Sequence, residues 1–267
     1  MNWGVAGLAV SFGPVQALAG VDLDVPPGRV TAVVGGDGAG KSTLLRVLAG
    51  LILPRQGEVR LPPRERIGYL PVRAGGFRDL TVAENLEFVA SAARLPPALP
   101  RTVELLERTG LAPFRRRLAR DLSGGMRRKL GVIMALFPSP SLLVLDEPTT
   151  GLDPVSRSDL WRLIALAAAG EAAVVVSSAY LDEAERAAWV LVLHEGRPLV
   201  AGSPEEVIAA LPGAVVEVDH PSDPARAWRH GARWREWHPG GSVGSVAPGL
   251  EDVVIVASLS AGAREAP

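Results

Sequence analysis

The run Gly35-Gly36-Asp37-Gly38-Ala39-Gly40-Lys41-Ser42-Thr43 has the residue types and spacing of a phosphate-binding loop. Its glycines let consecutive backbone N–H groups turn toward phosphate oxygens. Lys41 supplies the charge, Ser42 a hydroxyl for Mg²⁺, and Thr43 a second hydroxyl beside the phosphates. Further along, the apolar run Leu142 to Leu145 ends in Asp146 and Glu147. A carboxylate at the first position can reach the metal directly or through water, and its neighbour can polarise an attacking water. Between them lies Leu122-Ser123-Gly124-Gly125-Met126, ahead of a basic amphipathic stretch. Ser123, Gly124 and Gly125 can offer an anion a hydroxyl, bare backbone and a helix N-terminus, although serine and glycine are equally ordinary capping residues. Taken in order, these segments point to an ATP-driven protein that works with Mg²⁺.

Positioning these groups requires strand, loop and helix in succession. Val30 to Val34 is an apolar run before the loop, and Leu44 to Ala49 reads as a helix after it. Val5 to Phe12 and Ala19 to Val25 alternate around Gly13-Pro14, which reads as an antiparallel β segment. Prolines at 54, 62, 63 and 71 interrupt the next stretch, where Ile67 to Pro71 reads as one more strand ending. Leu80 to Ala135 has helical spacing, as in Val82, Leu86 and Val89, then Val103, Leu105 and Leu106, then Leu130, Ile133 and Met134. Strand-like runs resume at Leu142 to Leu145, Ala172 to Val176 and Val190 to Leu193, with helical patterns between them. This alternation predicts an α/β fold with a mostly parallel sheet, an antiparallel β part, an inserted helical part and a small C-terminal appendage. Ligands of such sheets bind beyond the carboxyl ends of the strands.

Composition bounds the possibilities. With 267 residues, 48% of them hydrophobic, the chain can bury a substantial core, and with no cysteine it has no disulfide framework. A net charge of -1 argues against nucleic acid as the partner. No apolar run approaches the ~20 residues that cross a bilayer. Of 28 basic residues only Lys41 and Lys129 are lysine. Beneath the β- and γ-phosphates a compact ammonium fits where a planar guanidinium is too bulky, so Lys41 reads as a required exception. The Arg/Trp segment from Arg226 to His238 interleaves basic and aromatic residues and is read as the surface of a folded appendage. His220, His230 and His238 lack metal-binding spacing.

The ordered set of the phosphate loop, Leu122 to Met126, Leu142 to Pro148 and Gly151-Leu152-Asp153 resembles the ATP-binding subunits of ABC transporters, over about residues 5 to 210. Leu80 to Leu86 matches the same family in its helical part. Ser177 to Arg186, Leu199 to Val207 and the Gly-Asp-Gly of the loop resemble bacterial drug-export systems with a separate permease, in particular the N-terminal half of their double-ATPase subunits. The resemblance implies a P-loop NTPase core over residues 1–210, with its helical subdomain at about 73–140, and an appendage over 211–267. It also implies ATP and Mg²⁺ as ligands and head-to-tail pairing with a second ATP-binding domain. Each ATP would lie between one phosphate loop and the partner's Ser123-Gly124-Gly125 segment. By the same resemblance Phe12 stacks on adenine, Asp153 lies at the dimer interface, and Phe77 and Leu80 receive a short helix of an integral-membrane permease. A plain core role is the alternative for Phe12. The chain would then sit in the cytoplasm, peripheral on the inner face of the membrane.

Two positions depart from the family. Glutamine is usual at position 72 and histidine at 179, and here stand Val72 and Ala179, which offer neither donor nor charge. Hydrolysis at this phosphate loop is therefore expected to be slow, and pairing with a different, competent ATPase is expected. The alternatives are a homodimer that relies on Glu147 alone, a non-hydrolysing regulatory subunit, and a soluble ABC ATPase outside transport.

Overall fold

The computed structural model describes residues 2–73, 75–95, 99–241 and 244–265. β1 (Trp3–Phe12) and β2 (Val15–Val25) pair antiparallel, longer at both strands than the alternation alone suggests. The turn between them uses Gly13 at φ 61°, where a side chain would be strained. β3 (Val30–Val34) and α1 (Lys41–Leu48) flank the glycine loop. β4 (Gln56–Arg60), which the proline-rich stretch conceals, adds to the other edge of β1.

A six-stranded sheet forms the centre. It comprises β3, β5 (Ile67–Leu70), β6 (Leu142–Asp146), β7 (Ala173–Ser178), β8 (Trp189–His194) and β9 (Arg197–Gly202), in the order β5-β6-β7-β3-β8-β9. Neighbours run parallel except β9, which returns antiparallel to β8. β3, β6, β7 and β8 are largely apolar because both faces are covered. Leu143, Leu145, Val174, Val176, Val190 and Val192 enter one core. The alternating residues Leu142, Val144, Ala173, Val175, Leu191 and Leu193 enter another, shared with α1 and the β1–β2 hairpin.

Between β5 and β6 lie α2 (Val82–Ala92), α3 (Leu99–Arg108) and α4 (Gly124–Leu136). A reciprocal capping box starts α2: the Thr81 hydroxyl accepts from the Glu84 N–H at 3.2 Å, and the Glu84 carboxylate accepts from the Thr81 N–H at 2.7 Å. α3 turns Leu105 and Leu106 inward and leaves Val103 49% exposed. α4 is apolar on two sides. Leu130, Ile133 and Phe137 close the helical core, while Val132, Ala135 and Leu136 pack on the central sheet. This helix therefore ties the helical part to the strands.

After β6 come α5 (Pro154–Ala169) and the short α6 (Leu181–Ala184), and α7 (Pro204–Ala209) follows β9. β10 (Ala214–Val218), β11 (Ala227–His230) and β12 (Arg233–His238) make a separate antiparallel sheet in the order β10-β12-β11. The Arg/Trp segment is the β11–β12 hairpin, with Arg229 stacked over Trp234 at 5.1 Å. The apolar run Val253 to Leu259 near the C-terminus is helical: α8 (Leu250–Glu265) sends Leu250 and Val253 into the core of the central sheet. Among the described residues no helix is long and apolar enough to cross a membrane.

Glu236 of β12 is 2% exposed and accepts from the Ser222 hydroxyl at 2.5 Å and from the Ser222 and Asp223 N–H groups at 3.0 and 2.9 Å. The Ser222 hydroxyl, then the backbone donors, hold its carboxyl below the ordinary value of 4.5. A lowered folded-state pKa stabilises the fold above the unfolded value, and that stability is lost as the pH falls through the folded one. Glu236→Gln is expected to lower the melting temperature at pH 7 and to flatten its fall below about pH 4.5, read by melting curves across the acid range.

Candidate active site

The glycine loop crosses from β3 to α1 in a conformation that only glycine tolerates at its tight points. Gly35, Gly38 and Gly40 have φ of 151°, 79° and 97°. A Cβ on Gly35 would lie 2.2 Å from the Leu193 carbonyl oxygen, and one on Gly40 2.7 Å from that of Ala17. Gly36, Asp37 and Gly38 are exposed, and α1 begins without a side-chain cap, so its first N–H groups are free for an anion. Lys41 is 6% exposed, and its ammonium donates to the carbonyls of Gly35 at 2.7 Å and Gly36 at 3.0 Å. Glu147 Oε1 lies 3.9 Å from the same nitrogen. Ser42 and Thr43 follow on the first turn of α1, both partly buried.

Asp146 and Glu147 close β6 beside β7, and Ser177 of β7 joins them. Its hydroxyl donates to Asp146 Oδ1 at 2.7 Å and accepts from the Glu147 N–H at 2.9 Å. Asp146 is 1% exposed, and its Oδ2 is buried without a partner. A buried carboxylate oxygen lacking a proton donor is the donor set a divalent cation satisfies. Glu147 sits at φ 49°, an unusual conformation for a residue with a side chain, and its Oε2 accepts from the Thr150 hydroxyl at 3.1 Å. Lys41 thus meets Glu147 across the sequence, with Asp146 its immediate neighbour. The Cβ-free loop, the buried ammonium and the orphaned Asp146 oxygen together fit a phosphate chain and its metal.

Arg128, on α4, lies under this site. Its Nη2 donates to the carbonyls of Asp146 at 2.8 Å and of Glu147, its Nε to that of Pro148 at 3.2 Å, and its Nη1 to those of Pro71 at 3.3 Å and Val72 at 2.5 Å. Burial pulls the guanidinium below its ordinary pKa, and the carboxylates of Asp146 and Glu147 oppose that shift. Arg128, Ser177, Asn85 and Glu183 were not singled out from sequence. Asn85, fully buried, holds the 77–81 loop by accepting from the Phe77 N–H at 2.6 Å and donating to the carbonyls of Phe77, Leu80 and Thr81. Glu183, 1% exposed, accepts from Thr149, Ser178 and Arg157 at 2.7, 2.8 and 3.0 Å. Helical spacing could have revealed Arg128, since it shares a stripe with Val132 and Ala135, where an arginine must be buried.

The remaining candidates lie apart from the phosphate loop or at its rim. Ser123 caps α4 by accepting from the Met126 N–H at 3.2 Å, and Ser123 and Gly124 are exposed. Ser123 and Gly125 share a cavity of about 400 Å³ with Leu152, Asp153 and Ser156, and no residue of the phosphate loop lines it. Asp153 caps α5 through the N–H groups of Val155 and Ser156 at 3.1 and 3.0 Å, donors that hold its carboxyl below the usual range. Phe12 is 52% exposed at the hairpin turn. That hairpin reaches the phosphate loop through Ala17 and Leu18, which crowd Gly40. Phe77 is 48% exposed and meets Phe88 edge-on with ring centroids 4.5 Å apart, while Leu80 is half-buried. Val72 is exposed after β5. Ala179, after β7, borders a cavity of about 580 Å³ that His230, Arg235 and Asp252 also line.

A largely parallel sheet, a glycine loop running into α1 and an acid pair at the end of a neighbouring strand define a P-loop nucleotide-binding protein. A family model described as ABC transporter matches residues 18–150. The chain is 40% identical over 209 residues to the "Probable multidrug ABC transporter ATP-binding protein YbhF" of Escherichia coli (strain K12), covering 74% of this chain and 36% of that relative. It thus matches only part of that relative's length. It is 37% identical over 227 residues to the "Daunorubicin resistance ATP-binding protein DrrA3" of Streptomyces coeruleorubidus, covering 80% of this chain and 72% of the relative. A solved ATP binding subunit of an ABC transporter superposes with a TM-score of 0.71 at 27% identity, covering 78% of this chain and 92% of that one. The chain belongs to the ABC transporter ATP-binding family.

Proposed function

We propose that the chain binds MgATP between Gly35–Thr43 of one copy and Ser123, Gly124 and Gly125 of a second ATP-binding domain, hydrolyses it slowly through Glu147, and drives a membrane permease. The convergence of buried Lys41, Glu147 at 3.9 Å from it and the unpartnered Asp146 oxygen carries this reading. Mg²⁺, when bound, would neutralise phosphate charge and be held by Ser42 and Asp146. Lys41 would exchange its loop carbonyls for phosphate oxygens, and Glu147 would accept a proton from the attacking water. Exposed Ser123 and Gly124 at the open end of α4, and Asp153 across the cavity from them, suit a surface that meets a second domain. Exposed Phe77 and Phe88, with half-buried Leu80 beside them, suit a permease helix, which would place the chain at the inner face of the membrane. The printed names of the relatives favour drug export as the transport direction. We divide the chain into an ATP-binding domain, 1–210, whose helical subdomain covers about 73–140, and an appendage, 211–267.

Val72 and Ala179 make this the slow half of an unlike pair, its Ser123 segment completing the partner's competent site. Restoring both side chains, as Val72→Gln with Ala179→His, is expected to raise MgATP turnover of the purified chain on the order of 10- to 100-fold. Turnover unchanged by both would mean that these positions do not limit this site, and the need for an unlike partner would fall away.

A further inference from the structure

We propose that Arg128 is a positioning residue that ties the loop at Val72 to Glu147 and so carries, through backbone carbonyls, the link that the side chain at position 72 cannot make. This rests on reading Glu147 as the hydrolytic base. Arginine has five N–H donors. Here the five bonds run to Pro71, Val72, Asp146, Glu147 and Pro148, so each donor meets a carbonyl. Those carbonyls lie at the ends of two adjacent strands, β5 and β6, and in the loops that follow them, and the planar guanidinium fixes the spacing between them. A displacement of the Val72 loop must therefore move the guanidinium, and with it the peptide of Glu147, or break the bonds.

Two features make this more than the burial of a convenient charge. Glu147 holds φ 49°, which costs on the order of 1 kcal/mol or more and persists only where its neighbours over-determine it. Its N–H is held by Ser177 and its carbonyl by Arg128 and the Thr150 N–H, so Arg128 is one of three clamps on the backbone of that residue. Val72, 40% exposed, has no polar side-chain atom, whereas its carbonyl makes a 2.5 Å bond to the guanidinium. Beside the β5–β6 backbone ladder, Arg128 is, among the described residues, the side chain that hydrogen-bonds both this loop and Glu147. Because Ser123 caps the start of α4, the same side chain also joins the partner-facing end of that helix to the acid pair.

Arg128→Lys keeps the charge but concentrates its donors on one nitrogen, which cannot span both loops. In the full chain we expect it to lower kcat for MgATP on the order of 10- to 100-fold. The KM and the affinity for a fluorescent ATP analogue should change by no more than about threefold. Hydrogen exchange in the nucleotide-free protein should speed up in peptides spanning Val72 and Glu147 together. Adding Val72→Gln should recover part of the lost kcat in the Arg128→Lys background. Because Arg128→Met takes a donor from five carbonyls and risks misfolding, its melting temperature sets the scale for a purely structural loss. Unchanged exchange at either loop overturns the proposal whatever the turnover, as does a fall in kcat, binding and melting temperature in parallel in both variants. If wild-type turnover equals that of Glu147→Gln, the hydrolytic reading fails, and the exchange data still report whether the link exists.

Discussion

Glu147→Gln is expected to abolish most MgATP turnover, by on the order of 10²- to 10⁴-fold, while nucleotide affinity stays within about threefold. The amide is nearly isosteric, can still accept from the Thr150 hydroxyl, and leaves the clamps on the backbone of residue 147 untouched. What it lacks is the basicity to take a proton from water. With Val72 and Ala179 offering no donor or charge, no other side chain bonded to the acid pair among the described residues offers that basicity, because Asp146 is engaged by Ser177 and suited to a metal. Phosphate release and fluorescent-nucleotide binding measured on the same samples decide the matter. Turnover equal to wild type would mean that Glu147 is not the base. Loss of binding together with turnover would mean that it supports the nucleotide instead.

The second large effect concerns Lys41. In the free protein its ammonium is already hydrogen-bonded to the carbonyls of Gly35 and Gly36. Phosphate binding exchanges these neutral acceptors for charged ones, so the gain is smaller than the gross strength of two charge-assisted bonds, each about 1.5–3 kcal/mol. A net loss of roughly 3–4 kcal/mol on removal corresponds to about 10²- to 10³-fold in Kd. Lys41→Ala should therefore weaken MgATP binding by that factor, and MgATP at concentrations that raise the wild-type melting temperature should leave the variant's unchanged. Removing the charge also leaves Glu147 without the cation at 3.9 Å. Full ATP protection of the variant would show that the loop amides and α1 suffice for the phosphates without the lysine.

The parts of this protein legible in its sequence are those written locally. A glycine loop needs its own residues at φ values only glycine adopts, so Gly35, Gly38 and Gly40 appear together with Lys41 in one short segment. Strands covered on both faces must be apolar throughout, which makes β3, β6, β7 and β8 visible as runs, and their acidic or polar ends stand out by contrast. β4 and α8 escaped this reading for an equally physical reason. Gln56–Arg60 is mostly polar because it forms an edge strand open to solvent, and a short apolar run such as Val253 to Leu259 does not by itself separate helix from strand.

The sequence alone determined the place of the glycine loop, the acid pair and the alternation of strands and helices, because each rests on the conformation or burial of neighbouring residues. Only the tertiary structure decided which distant groups stand behind them. The strand order sets β6 between β5 and β7, and this brings Ser177 to Asp146 across 31 residues and Arg128 to Val72 across 56. Those contacts are backbone carbonyls and hydroxyls gathered by non-sequential pairing, and such acceptors are present at every residue. Nothing in the types of residues 72 or 147 marks their carbonyls as the ones Arg128 holds, since only the crossing of α4 beneath two adjacent strands selects them.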